Sequence, residues 1–272
     1  MRRLAVLGSP IAHSKSPALH RAAYARLGLD WDYTSVEVDG GRLSEFIHSL
    51  DPSWRGLSLT MPLKQDVIPV LDEIDELATL TGAANTVLFD GGRRHGFNTD
   101  VGGIVRALGE VGFERMRRGA LIGGGATAAS ALAAMAELGA NDVRVVLRRP
   151  EAAHVLIDIG HRLGLIVEAL PIRDLVALED ADLVVSTVPG GSDLGAAPSA
   201  GLMRRALLFD VAYDPWPTTL AAQWLAAGGT VVDGLGMLLH QALLQVRVFV
   251  AGDPFTPLPD EASVLAAMRE SL

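Results

Sequence analysis

Short apolar runs closed by glycine or polar turns alternate along the chain with longer segments in which apolar residues recur every three or four positions. In the first hundred residues this pattern predicts strands at 4–7, 31–38 and 56–59, and a hairpin across 85–98. It also predicts helices at about 17–27, 43–50, 64–71, 74–80 and 101–111. Strands that alternate with helices of this length are typical of α/β folds with parallel sheets.

A second cycle of the same kind begins near residue 119. It predicts strands at 120–122, 143–147, 166–170, 183–187, 207–210 and 230–232, and helices at 127–138, 151–163 and 220–227. The closing segment 236–272 is predicted to be helical. Because it follows the completed second sheet, it could pack on the first unit. We therefore expect an α/β fold divided into residues 1–100, 101–235 and 236–272.

Composition narrows the class of protein. The chain has 272 residues, of which 49% are hydrophobic and 20% charged, values that are typical of a folded globular protein. No apolar run approaches the roughly 18 residues that a membrane span needs, and no signal peptide is recognisable, so we expect a cytoplasmic protein. The absence of cysteine excludes disulfides and thiolate chemistry, and a net charge of −9 argues against nucleic acid as a partner.

Lysine is scarce in this chain. Only Lys15 and Lys64 occur among 23 basic residues, the others being arginine. Arginine stays protonated at any usable pH, whereas a partly buried lysine can take part in proton transfer. Lys64 follows a predicted strand end, where a catalytic residue would be presented, although both lysines could also be ordinary surface residues.

A glycine turn follows the first strand of the second unit. The residues Gly123, Gly125 and Ala128 reproduce the spacing of a dinucleotide-binding turn, in which the helix N-terminus faces a pyrophosphate. Glycines in this position are also often simple turns. The next strand ends in Arg148 and Arg149 with no carboxylate, which favours the 2′-phosphate of NADP over NAD, unless these arginines are merely a solvated strand end.

Polar residues also cluster at the predicted strand ends of the first unit: Ser14, Ser16, Thr60, Lys64, Asn85 and the run Asn98-Thr99-Asp100. Ligands bind outside the carboxyl ends of strands in open α/β sheets, so these groups are expected to converge. Hydroxyls, an amide, one lysine and one carboxylate suit a small polyhydroxylated acid.

Seven motifs in order resemble those of the shikimate dehydrogenase family. They are Gly8-Ser9-Pro10-Ile11-Ala12-His13-Ser14-Lys15-Ser16-Pro17, Thr60-Met61-Pro62-Leu63-Lys64, Gly82-Ala83-Ala84-Asn85-Thr86, Asn98-Thr99-Asp100, Gly123-Gly124-Gly125-Ala126, Asp210-Val211-Ala212-Tyr213-Asp214-Pro215 and Asp233-Gly234-Leu235-Gly236-Met237-Leu238-Leu239-His240-Gln241. The resemblance implies NADPH-dependent reduction of 3-dehydroshikimate to shikimate in aromatic amino-acid biosynthesis. It also implies an N-terminal α/β substrate domain, a Rossmann-like domain with a doubly wound parallel sheet that binds NADP, and C-terminal helices that pack back on the substrate domain.

The resemblance assigns roles position by position. Lys64 and Asp100 become the catalytic pair, although Asp100 could also serve as a helix N-cap. The residues implied to bind substrate are Ser14, Ser16, Thr60, Asn85, Tyr213 and Gln241. Those implied to bind the cofactor are Gly123, Gly124, Gly125, Ala126, Thr127, Ala128, Arg148, Arg149, Val211 and Gly234. No metal site is expected.

Two departures from the family pattern leave alternatives open. The glycine turn reads Gly-Gly-Gly-Ala where the family more often has Gly-Ala-Gly-Gly, and Leu147 replaces a polar residue before Arg148. The strength of the NADP preference and any activity on quinate are therefore undetermined. A quinate and shikimate dehydrogenase that uses NAD, or a non-catalytic NADP-binding sensor, are the alternatives. The sequence leaves monomer and homodimer open, and likewise any chemical role of His13 or His240.

Overall fold

The computed structural model describes all 272 residues and divides into two compact units. One unit comprises Met1–Gly103 together with Leu238–Leu272, and the other comprises Ile104–Met237. The expected divisions were 1–100, 101–235 and 236–272. None of the helices combines the length and apolar character that crossing a membrane requires.

The first unit is built on a mixed six-stranded sheet. Its strands are β1 (Arg2–Gly8), β2 (Trp31–Glu37), β3 (Trp54–Leu59), β4 (Glu73–Ile74), β5 (Thr86–Asp90) and β6 (Arg93–Phe97). They lie in the order β2-β1-β3-β5-β6-β4. β1 pairs in parallel with β2 and β3, whereas β5 runs antiparallel to both β3 and β6. The hairpin predicted at 85–98 makes this sheet mixed.

Helices cover both faces of this sheet. They are α1 (Ser16–Arg26), α2 (Leu43–His48), α3 (Leu63–Asp66), α4 (Glu76–Thr81), the start of α5 (Asp100–Glu110), most of α10 (Leu235–Ala251) and α11 (Glu261–Glu270). Leu19 and Tyr24 of α1 share one core with Leu243 of α10 and Met268 of α11.

The C-terminal helices pack within the first unit for reasons that the contacts make clear. Gly56 of β3 has no Cβ, and a Cβ there would lie 2.4 Å from the ring of Phe249 on α10, so the glycine admits the helix closely. Arg247, which is buried, donates to the Glu261 carboxylate at 2.6 Å and to the Pro254 carbonyl at 3.0 Å. This pair joins α10 to α11.

The second unit is a parallel sheet. It contains β7 (Arg118–Ile122), β8 (Asp142–Leu147), β9 (Ile166–Pro171), β10 (Leu183–Ser186), β11 (Leu207–Asp210) and β12 (Thr230–Val232). Its helices are α6 (Ala126–Glu137), α7 (His154–Arg162), α8 (Ala200–Arg205) and α9 (Thr219–Ala226). The order β12-β11-β10-β7-β8-β9 is that of a doubly wound nucleotide-binding sheet, with the switch point between β7 and β10. The predicted fold class is confirmed.

One local expectation was wrong, and one helix was not predicted. Ile74 ends the short strand β4 and is not part of a helix, because it pairs with Gly96 at the sheet edge. The six-residue helix α8 was not predicted; it is short, and Ser199 caps it by accepting from the Leu202 amide. The expected C-terminal helices over 236–272 are α10 and α11, and Asp253 organises the turn between them by accepting from the amides of Phe255 and Thr256.

A histidine lies at the centre of the first unit's core. His20 is fully buried and its ring stacks on Tyr33 with centroids 4.0 Å apart. Burial lowers the pKa of His20 from 6.5 to about 3, only partly opposed by its hydrogen bond to Gln245. The folded protein therefore holds this imidazole neutral, while the unfolded chain would protonate it near pH 6.5.

Because the folded-state pKa of His20 is depressed, its contribution to stability is complete above pH 6.5 and is lost as the pH falls towards 3. We expect His20 alone to lower the free energy of unfolding by about 2 kcal/mol between pH 7 and pH 5. Urea unfolding at both pH values should show that His20→Gln removes this component, whereas His48→Gln, at an exposed histidine, retains it. Equal pH dependence in the two variants would contradict the assignment.

Candidate active site

The centre of the site is a buried ion pair. Lys64 lies on the one-turn helix α3 directly after β3, and Asp100 is the first residue of α5. The Lys64 Nζ atom donates to Asp100 Oδ2 at 2.7 Å, and the two side chains are 13% and 3% exposed. Asp100 lies at the N-terminus of α5, a position that favours a negatively charged side chain.

Asn85 holds the second oxygen of this carboxylate. Its Nδ2 donates to Asp100 Oδ1 at 2.8 Å, while its Oδ1 accepts from the Thr99 amide at 3.0 Å. A backbone N–H can only donate, so the Thr99 contact fixes which end of the Asn85 amide faces Asp100. The amide of Asp100 itself is capped by the Asn98 side chain. The Asp100 carboxylate is therefore used for Lys64 and Asn85 and does not cap the helix.

Gln241 joins the same cluster from α10. Its Oε1 lies 3.4 Å from Asn85 Nδ2, and its backbone carbonyl accepts from the Thr99 hydroxyl at 3.1 Å. The Gln241 Nε2 atom donates to the Leu238 carbonyl of its own helix. The structure thus brings together four residues implied by the resemblance, with Thr99 between them.

Ser14, Ser16 and Thr60 lie at the neighbouring strand ends, and no hydrogen bond joins them to the ion pair. Ser14 follows β1, and its hydroxyl accepts from the Ser16 amide at 3.3 Å. Thr60 follows β3, and its methyl group lies 2.5 Å from the position that a Cβ on Gly8 would occupy. β1 and β3 end in parallel at this edge of the first sheet; Thr60 directly follows β3, Ser14 lies in the connection from β1 to α1, and Ser16 is the first residue of α1. Lys15 points elsewhere, because its Nζ donates to the Leu272 carbonyl.

In the second unit, the glycine turn lies at the switch point of the sheet. Gly123 follows β7 with φ +121°, and a Cβ there would meet the Thr187 hydroxyl at 2.2 Å. Thr187 follows β10, and its hydroxyl donates to the Ile122 carbonyl at 3.1 Å. Only glycine fits this position, on both steric and conformational grounds.

The open side of the turn fits a dinucleotide phosphate. Gly125 is the N-cap of α6 and has extended backbone, and a Cβ built on it would meet nothing within 4 Å. The first residues of the helix, Ala126 and Thr127, are half-buried, and Ala128 is fully buried against the sheet. Four backbone amides at a helix start have no partner within the helix, and this one faces open space that a pyrophosphate could fill.

Arg148 and Arg149 follow β8 and are both exposed. Arg148 Nη2 makes a long contact of 3.5 Å to the Asp193 carbonyl, so its guanidinium remains available for an anion. The nearest carboxylate along the chain is Glu151, at the start of the following helical turn. The end of β8 therefore presents two positive charges and suits a 2′-phosphate.

The remaining implied residues follow β11 and β12. Gly234 is buried, and a Cβ on it would lie 1.9 Å from the Val211 carbonyl, so these two segments touch. Tyr213 is half-buried in the second unit. Burial raises the pKa of Tyr213 above 10, with a smaller effect from the Asp214 charge, so its phenol stays protonated.

Sequence reasoning overlooked the buried residues whose hydrogen bonds hold Asn85 on its core side. Gln245 and Ser58 are buried, and Gln245 donates to the Asn85 carbonyl at 3.0 Å. Gln245 lies one turn after Gln241 on α10, and this second glutamine on the same helix face is the signal that could have identified it. His240, whose role was left open, is buried on α10.

Together, the doubly wound sheet with its phosphate turn and the buried lysine–carboxylate pair define a dinucleotide-dependent oxidoreductase. A family model described as "Shikimate dehydrogenase substrate binding domain" matches residues 6–87. An NADP(+)-dependent shikimate dehydrogenase of Methanothermobacter thermautotrophicus is 32% identical over 94% of this chain and 94% of its own.

Solved structures agree with these sequence matches. The Mycobacterium tuberculosis shikimate dehydrogenase superimposes with a TM-score of 0.86 at 39% identity, covering 99% of this chain and 100% of that one. The Thermus thermophilus enzyme, solved with NADP(H) and shikimate, gives a TM-score of 0.82 at 32% identity, with complete coverage of both chains. The chain belongs to the shikimate dehydrogenase family, as its motifs predicted.

The two turn glycines should respond differently to alanine. In Gly123→Ala the new methyl group would clash with the Thr187 hydroxyl, and position 123 has a positive φ that alanine disfavours. This substitution should therefore destabilise the protein by about 1–3 kcal/mol. Gly125→Ala meets no protein atom, so it should leave stability nearly unchanged while weakening NADP binding roughly tenfold or more. Thermal unfolding and calorimetric NADP titration measure both effects. Unaltered NADP affinity in Gly125→Ala would exclude the turn as the pyrophosphate site.

Proposed function

We propose that this protein catalyses the reversible NADPH-dependent reduction of 3-dehydroshikimate to shikimate, with Lys64 and Asp100 as its catalytic pair. The predicted family, enzyme class and cofactor are confirmed by relatives that are NADP-dependent shikimate dehydrogenases over nearly the whole chain. The alternatives, a quinate and shikimate dehydrogenase that uses NAD and a non-catalytic NADP-binding sensor, are not favoured. The observation that carries the assignment of residues is the 2.7 Å contact between Lys64 and Asp100.

The chemistry requires a proton at one defined atom. When bound, NADPH supplies the hydride that converts the substrate ketone into an alkoxide. The Lys64 ammonium polarises the carbonyl oxygen and then donates a proton to it, which leaves a neutral amine that solvent reprotonates. A positioned general acid of this kind contributes about 10²–10⁴-fold to the rate.

Asp100 has two functions in this scheme. Its Oδ2 holds the ammonium in place, and its carboxylate accepts a hydrogen bond from a ring hydroxyl of the substrate. Asn85 neutralises part of the negative charge at Oδ1, so the carboxylate does not need water there. Buried ion pairs are stable only when their remaining hydrogen-bonding groups are satisfied, and Asn85 meets that need.

The other substrate contacts are proposed from the family resemblance. Ser14 and Ser16 supply hydroxyls for the substrate carboxylate, while Thr60, Asn85 and Gln241 surround the ring hydroxyls. Tyr213 contributes a protonated phenol. Each of these groups is polar and uncharged, so Lys64 is the one cation among the assigned substrate contacts. Proton transfer is therefore assigned to a single residue.

The cofactor residues divide according to the parts of NADP. The turn Gly123, Gly124 and Gly125, with the first residues of α6, holds the pyrophosphate. Arg148 and Arg149 hold the adenosine 2′-phosphate, while Val211 and Gly234 lie against the nicotinamide. A net charge of −9 makes such local positive charge necessary for an anionic cofactor. Location in the cytoplasm, and assembly as a monomer or homodimer, stay predictions.

Replacement of Lys64 by arginine tests the proton transfer directly. Lys64→Arg retains the positive charge but provides a guanidinium that does not release a proton, so turnover with shikimate and NADP should fall about 10²-fold or more. Lys15→Arg is the matched control. Lys15 Nζ donates to the Leu272 carbonyl, a bond that arginine can replace, and turnover should stay near the wild-type value.

The same assay separates the competing functions. Wild-type protein should oxidise shikimate with NADP faster than with NAD, and faster than it oxidises quinate. Wild-type turnover in Lys64→Arg would show that charge alone is needed and would remove the proton-transfer role. No turnover of any substrate by the wild-type protein would instead favour the sensor.

A further inference from the structure

A buried chain of hydrogen bonds leads from the core of the first unit to Asn85. Gln245 lies in the middle of it, one helical turn after Gln241 on α10. Its Nε2 donates to the Asn85 carbonyl at 3.0 Å, and its Oε1 accepts from the Ser58 hydroxyl at 2.7 Å. The same Oε1 lies 3.2 Å from His20 Nε2. None of these groups reaches solvent.

The direction of every bond in this chain is fixed. The Asn85 carbonyl can only accept, so the Nε2 end of the glutamine amide faces it and the Oε1 end needs donors. His20, which burial keeps neutral, must therefore carry its proton on Nε2 and accept from the Tyr24 hydroxyl at Nδ1. Tyr33 donates to Ser58 at 2.6 Å, which leaves the serine proton for the glutamine.

The series of hydrogen bonds ends at Asn85, which orients the catalytic carboxylate of Asp100. The Asn85 carbonyl accepts from the Leu59 amide as well as from Gln245, so two bonds fix this peptide from different elements. The Asn85 side chain then reaches Asp100 at 2.8 Å. A shift of the Asn85 peptide would therefore change the angle at which Asp100 meets Lys64.

We infer that Gln245 is a positioning residue for the reaction: it fixes Asn85 and, through Asn85, the orientation of Asp100 towards Lys64. This inference rests on the proposed roles of Lys64 and Asp100. Gln245 touches neither of them, and its Nε2 and Oε1 are both occupied by protein groups. Its effect is expected on turnover, since a misplacement of about 1 Å in a catalytic group can cost about 10²-fold.

Two variants separate positioning from simple core stability. Gln245→Met keeps the length of the side chain but removes the donor to Asn85. Tyr24→Phe removes one hydrogen bond at the far end of the same chain and leaves both ends of the Gln245 amide bonded. Both lose buried hydrogen bonds, so both should lower the thermal midpoint. Steady-state kinetics with shikimate and NADP is then measured at a temperature where both are folded.

We expect Gln245→Met to lower kcat roughly 10- to 100-fold with an unchanged KM for NADP, and Tyr24→Phe to retain kcat within about twofold. A kcat for Gln245→Met that matches that of Tyr24→Phe would overturn the inference. If the wild-type protein does not oxidise shikimate, the proposed function fails separately. The side-chain amide resonances of Asn85 then decide: they should shift in Gln245→Met and stay in Tyr24→Phe, and unshifted resonances in both would overturn the positioning role.

Discussion

The site depends on a largely buried lysine–carboxylate pair, Lys64 and Asp100, in which protein groups bond both oxygens of the carboxylate. Removing two charges from water is costly, and their attraction compensates only when the remaining hydrogen bonds are made. Asn85 makes the decisive one, to the Asp100 oxygen that Lys64 does not use. The adjacent Ala84 amide donates to the Lys64 carbonyl, so one short segment before β5 holds both partners.

This arrangement explains why α10 belongs to the first unit. Gln241 and Gln245 lie on one face of the helix and both reach Asn85, one at its side chain and the other at its carbonyl. Apolar residues of the same helix, such as Leu243 and Phe249, share a core with α1 and α11. Packing of the helix and orientation of the proposed catalytic pair are therefore parts of one set of contacts.

We propose that the second unit binds the cofactor through groups that are independent of the Lys64–Asp100 pair. A protein of net charge −9 attracts a polyanionic cofactor only through local groups. We propose that these groups are the amides at the start of α6 and the two exposed arginines after β8. The amides depend on a backbone geometry that glycine alone permits at position 123. The arginines depend only on their side-chain charge. Loss of either should therefore leave the catalytic pair of the first unit intact.

Much of this could be predicted from the sequence, because the signals are local. Strand and helix periodicity gave the order of elements, and the scarcity of lysine drew attention to Lys64. The short helix α8 and the edge strand β4 were missed because six or fewer residues carry little periodicity. Gln245 and His20 were missed because the hydrogen bond between them joins α10 to α1, segments 225 residues apart that no local pattern relates.

The central claim is that Lys64 and Asp100 act as one unit, and a double-mutant cycle on kcat tests it most directly. The cycle compares Lys64→Ala, Asp100→Ala and the double variant in shikimate oxidation with NADP. If the two residues act as one unit, the double variant should lose no more activity than the more impaired single variant, because either substitution alone already removes the ion pair. Losses that multiply in the double variant would show that the two residues act independently, and would contradict the account.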